Sequence, residues 1–86
     1  MDISKYLEGR GWRALYADRD AGTYTKFFYS ISYSMFSGGW VIIYDSQKEK
    51  EIFDGKFLTE EKADIIMEAV GIPIEDKLYK QSEGTR

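Results

Sequence analysis

The chain has 86 residues, 43% hydrophobic and 31% charged, which is enough for one globular domain and too little for two cores. Twelve Lys and Arg stand against fifteen Asp and Glu, a net charge of −3, whereas general nucleic-acid binders carry a basic excess for phosphate neutralisation. The sequence contains no cysteine and no histidine, which excludes disulfides, zinc–thiolate sites, thiol nucleophiles and imidazole bases.

The first predicted element is a short helix over residues 2–9. Asp2 suits its N-terminal end, and Ile3, Tyr6 and Leu7 recur at helical spacing on one narrow apolar face. Gly9 and Gly11 end it, and residues 12–17 then read as a strand. Two glycines in three residues argue against continuing the helix, because each costs about 1 kcal/mol relative to alanine. Residues 18–22 carry turn chemistry.

Residues 23–36 are rich in aromatic and β-branched side chains and predict one long strand. Its odd positions, Phe27, Tyr29, Ile31, Tyr33 and Met35, are apolar, and Ser30, Ser32 and Ser34 alternate with them, giving a core face and a wet face. Ser37-Gly38-Gly39 turns the chain into a returning strand at 40–45. A two-residue Gly38-Gly39 loop sets Tyr33 opposite Tyr44 and Met35 opposite Ile42. It is preferred to a three-residue loop because that alternative buries Asp45 beside Ile31 as a lone carboxylate. Ile52 and Phe53 predict a short fourth strand, closed by a turn at Asp54-Gly55.

A longer helix is predicted over 59–70. Thr59 is its N-cap, Glu60 and Glu61 favour its positive end, and Ala63, Ile66, Met67 and Val70 form the apolar stripe, widened by Ile65 and Ala69. Gly71 fits the C′ position, and Pro73 prevents the helix from resuming. The expected fold is α+β: a three- to four-stranded antiparallel meander, a short N-terminal helix, and a longer C-terminal helix packed on the sheet. Residues 1–74 form the domain and 75–86 a polar, flexible tail. No run approaches the roughly 18 apolar residues of a membrane span, and Met1-Asp2 opens no signal peptide. A cytoplasmic address is therefore expected.

The chemistry-bearing candidates have plain structural explanations. Asp18-x-Asp20-x-Gly22 looks like the opening of a calcium loop, but its twelfth position is Tyr29 rather than glutamate. Asp45, Asp54, Glu60 and Glu61 offer carboxylates without an accompanying nucleophile or oxyanion donors. Gly9-Arg10-Gly11 follows a helix instead of opening one, so it makes no phosphate cradle. No catalytic residue, cofactor or metal is expected.

The aromatics are the unusual feature. There are fourteen, and eight lie between Tyr24 and Tyr44. The odd face of the long strand, with Trp40, Ile42 and Tyr44, fills the core under the long helix. The opposite face would carry Tyr24, Lys26, Phe28 and Phe36 beside Val41 and Ile43, more apolar surface than a small monomer exposes unless the N-terminal helix covers it. The expected function is a small non-enzymatic protein-interaction module of adaptor or inhibitor type. Its contact surface is centred on Phe28 and Phe36 with Tyr24 and Lys26 at the rim, and its partner is another protein or a second copy. The alternative is a nucleic-acid-binding domain using Arg13, Lys26 and sheet aromatics. Against it, the chain has neither the RRM aromatic signature nor a KH Gly-x-x-Gly loop, and charges at strand ends also block edge-to-edge aggregation.

Overall fold

Asp2 starts the first helix by accepting the Lys5 backbone N–H at 3.0 Å, in a computed structural model that describes residues 1–74. The helix, α1 (Ile3–Gly9), buries Ile3, Tyr6 and Leu7 as the spacing predicts. Gly11, at φ +85°, takes the left-handed conformation that turns the chain into β1 (Arg13–Ala17). The Asp18 carboxylate then accepts the N–H groups of Asp20 at 2.8 Å and Ala21 at 2.9 Å, closing the turn into β2 (Ala21–Lys26).

The long strand expected at 23–36 is two strands. β2 ends at Lys26, and β3 (Tyr29–Ser34) returns beside it, with Lys26 opposite Tyr29 and Tyr24 opposite Ile31. Phe27 and Phe28 make the two-residue turn, and Phe27 holds φ +55°. No Gly, Asn or Asp marks this turn. A non-glycine left-handed residue is held there by the pairing on either side. The turn reverses the parity of the core face. Gly22, Tyr24 and Lys26 face inward on β2, and Tyr29, Ile31 and Tyr33 do so on β3.

The next connection is also longer than expected. Met35–Ser37 form a 3₁₀ turn, followed by Gly38 and Gly39 at φ +72° and +85°. β4 (Trp40–Asp45) therefore pairs with Ser34 opposite Trp40 and Tyr33 opposite Val41, three residues from the expected register. An odd shift exchanges the two faces of a strand. Val41, Ile43 and Asp45 are buried, while Trp40, Ile42 and Tyr44 lie on the other face. The expectation failed on its premise about Asp45. Its buried carboxylate is not alone, because Oδ1 accepts the N–H groups of Gln47 at 2.9 Å and Lys48 at 3.0 Å.

β5 (Lys50–Lys56) extends through the Asp54-Gly55 pair that reads as a turn. The result is one five-stranded antiparallel sheet, β1-β2-β3-β4-β5, inside the expected α+β class and with more strands than the three or four expected. Both edge strands are irregular. One residue, Leu15, bulges from β1, and another, Ile52, bulges from β5.

Thr59 caps α2 (Glu60–Ala69) by accepting the Lys62 N–H at 3.1 Å. Its end is a Schellman motif: Ile72 N–H bonds Met67 C=O and Gly71 N–H bonds Glu68 C=O, with Gly71 at φ +87°. Ala63 and Met67 are buried, and Ile66 and Val70 are half-buried against the same core, while Ile65 and Ala69 are exposed, so the stripe is narrower than predicted. Both helices lie on one face of the sheet. The core joins Ile3, Tyr6 and Leu7 of α1 with Tyr24, Ile31, Val41, Ile43, Phe57 and Met67. Across the helix pair, Tyr6 Oη donates to Asp64 Oδ1 at 2.5 Å, and Arg10 forks onto both oxygens of the same carboxylate at 3.1 and 3.2 Å. The N-terminal helix thus covers the core face, and among the described residues the serine-bearing face is open. The expectation of a flexible tail at 75–86 lies outside the described residues.

Candidate functional site

Strand register sets the composition of the open face. Residues directly opposite across the ladders share a face; two rows cross all five strands and a third crosses β2 to β5. The first runs Arg13, Thr25, Ser30, Tyr44, Glu51, and the second Tyr16, Thr23, Ser32, Ile42, Asp54. The third runs Ala21, Ser34, Trp40, Lys56. Small hydroxyl residues on β2 and β3 form a low floor, on which Thr23 Oγ1 and Ser32 Oγ are hydrogen-bonded at 3.1 Å. Larger side chains flank it: Tyr16 is 61% exposed on β1, and Trp40 and Tyr44 are 40% and 39% exposed on β4. Neighbouring polar groups hold Trp40 and Tyr16 in place. Trp40 Nε1 donates to Asp54 Oδ1, and Lys56 Nζ lies 6.0 Å from the Trp40 ring centroid. Tyr16 Oη donates to Asp18 Oδ2 at 2.8 Å. That bond to a carboxylate pushes the Tyr16 phenol above its ordinary range. The Asp18 carboxyl is held low by the Asp20 N–H first, and by the Tyr16 hydroxyl and the Ala21 N–H with it.

The four residues expected to form one contact patch do not meet. Tyr24 is fully buried on the helix side, where its hydroxyl donates to Glu8 Oε2 at 2.8 Å and lies 2.8 Å from Ser4 Oγ. Burial raises the Tyr24 phenol pKa, opposed by the Ser4 bond and aided by Glu8. Lys26 is 6% exposed, and its ammonium donates to the carbonyls of Arg10 at 2.6 Å and Pro73 at 3.4 Å. Phe28 sits half-buried in the β2–β3 turn with its ring 4.4 Å from that of Tyr29. Phe36 is 82% exposed on the 3₁₀ turn at the opposite end of β3. The six residues of β3 separate the two phenylalanines by about 20 Å at roughly 3.3 Å per residue.

The residues that do face outward, Tyr16, Trp40, Ile42 and Tyr44, were placed in the core or left unassigned by the sequence reading. One signal could have found them. The hydroxyl side chains fall at 23 and 25 and then at 30, 32 and 34, so their parity changes between Thr25 and Ser30. A parity change within an unbroken apolar run marks a hidden turn.

A second concavity, about 880 Å³, lies between α1 and β1, with Ser4, Glu8, Ala14, Tyr24, Tyr33 and Met35 in its lining. The phenols in it are engaged, Tyr24 as above and Tyr33 by donating to Asp18 C=O at 3.1 Å. Among the described residues, no three His, Cys, Asp or Glu side chains are grouped to hold a metal ion, and no helix is long and apolar enough to cross a membrane. Comparison with protein-family profiles, curated proteins and solved structures finds no match, so function is argued from this chain's own geometry.

Proposed function

We propose that this chain is a small cytoplasmic protein-interaction module rather than an enzyme, and that it acts through the open face of its sheet. The observation that carries the reading is the placement of both helices on one side. Among the described residues nothing covers the other side of the five-stranded sheet, which displays Tyr16, Trp40 and Tyr44 around a hydroxyl floor. Partly exposed Tyr and Trp on a scaffold of paired strands are the side chains that anchor protein contacts, because they bury large areas at small conformational cost. The nucleic-acid alternative is weakened by Lys26, whose ammonium is held by backbone carbonyls on the helix side.

The test is substitution on the face with stability measured alongside. Tyr44→Ser and Trp40→Ser should each keep a cooperative melt, since both side chains are substantially exposed. Each should weaken the contact by about 2 kcal/mol or more, the usual loss for an interface anchor. The readouts are solution mass and recovery of the protein that co-purifies from the native cell. Folded variants that match the wild type in both would refute the reading.

A further inference from the structure

We propose that the occupant of the open face is a second copy of this chain, packed sheet against sheet about a two-fold axis parallel to the strands and centred on β3. This rests on the open face being the contact surface and adds the identity of the partner. Rotation about that axis lays β4 over the partner's β2 and β5 over the partner's β1, and keeps every residue in its own row. The first row then sets Arg13 against the partner's Glu51, and by symmetry the same pair forms a second time. The bulky Tyr44, Ile42 and Trp40 of β4 cover the small Thr25, Thr23 and Ala21 of β2, while the serines of β3 meet their own copies on the axis. Opposite charges and large-over-small packing therefore coincide in one arrangement. The other in-plane two-fold, across the strands, does not combine the two. It sets Glu51 against the partner's Lys56, but it also sets Asp54 against the partner's Asp54 and stacks Tyr44 on the partner's Trp40, bulk on bulk.

The available area is adequate but small. Five strands at about 4.8 Å spacing and three rows at about 6.8 Å give a face of about 24 by 20 Å. Two such faces bring together about 1,000 Å², near the lower limit of specific interfaces, so the dimer is expected to be weak and concentration-dependent. The intrinsic twist of each sheet sets the pair at about −30°, the aligned class of sheet packing.

The experiment is sedimentation equilibrium over a concentration series at low salt, where rim charges are least screened. The wild type should approach twice the monomer mass. Arg13→Glu and Glu51→Arg should each weaken self-association about tenfold or more while melting like the wild type. Mixed in equal amounts, the two variants should recover the wild-type affinity, because each mixed pair sets an acidic against a basic side chain at both ends of the first row. A wild type that stays monomeric throughout, a dimer insensitive to both reversals, or a mixture no tighter than the separate variants would overturn the proposal. These failures are distinguishable from failure of the open-face reading. A monomeric wild type whose Tyr44→Ser variant loses a different cellular partner keeps the face and removes the second copy. Unchanged behaviour of Tyr44→Ser and Trp40→Ser removes both.

Discussion

Tyr6→Phe isolates the hydrogen bond that ties the two helices together. The Tyr6 hydroxyl donates to Asp64 at 2.5 Å, and the ring packs edge-on against Phe57 at 5.9 Å and under the Arg10 guanidinium at 4.8 Å. Phenylalanine keeps both ring contacts and removes only the hydroxyl. A hydrogen bond to a charged group contributes about 1.5–3 kcal/mol, and here the low end applies because the Arg10 fork still satisfies Asp64. The variant should therefore unfold about 1.5 kcal/mol more easily at pH 7. Alkaline pH supplies a second, independent signature. Burial first, and the Asp64 carboxylate with it, raise the phenol far above its ordinary value near 10. A raised folded pKa means that the contribution is complete below the unfolded value and is lost as pH rises past it. The wild type should lose about 1.4 kcal/mol per pH unit from this group above pH ~10, and the variant none. Tyr24 and Tyr33, also raised by burial, titrate alike in both proteins. The difference should thus nearly vanish by about pH 11. Urea titration followed by tryptophan fluorescence at pH 7, 10 and 11 measures this. A variant indistinguishable from wild type at pH 7, or a difference that persists unchanged at pH 11, would refute the reasoning.

Three further outcomes are expected. With no histidine or cysteine, no side-chain type present has its ordinary pKa between pH 5 and 8.5, so the melting temperature should change by no more than a few degrees from pH 6 to 8 in calorimetry. Met67→Ala should cost about 2–4 kcal/mol because Met67 is 2% exposed, and Ile66→Ala should cost less because Ile66 is half-buried; denaturant titration showing the reverse order would mean α2 is rotated from the orientation described. Gly22→Ala should destabilise by about 1–3 kcal/mol, since a Cβ there would lie 2.9 Å from Tyr16 C=O and 3.0 Å from both Ala17 Cα and the Tyr33 ring; a variant as stable as wild type would show that the β1–β2 contact yields easily.

The helices were legible because each carries local punctuation: Asp2 and Thr59 accept the expected N–H groups, and Gly71 takes the expected left-handed turn. The α+β class followed from them and from the strand-rich middle. The candidate site was less legible because a face assignment depends on counting residues through turns. Phe27-Phe28 turns the chain with residues that look like strand, and what holds it there is the whole β2–β3 ladder, from Lys26 opposite Tyr29 to Ala21 opposite Ser34, rather than any turn-forming residue. The 3₁₀ turn at Met35–Ser37 added residues to a loop that glycine alone seemed to define. Each miscount exchanged inside for outside, moving Tyr24 and Lys26 into the core and Trp40 and Tyr44 out of it. Lys26 shows how a cation can be buried once carbonyl oxygens converge on it.

The two bulges bear on whether such an aromatic-rich chain can polymerise edge to edge. A regular edge strand is a template, since its free N–H and C=O groups repeat at the spacing another strand needs. Leu15 interrupts that repeat on one edge and Ile52 on the other, so an incoming strand would lose register within a few residues. Lys50, Glu51, Asp54 and Lys56 add charge along the β5 border. Lateral growth, the route to cross-β fibrils, is obstructed at both ends of the sheet. The pairing proposed through the open face would by contrast be self-limiting, because a face once covered offers nothing to a third molecule.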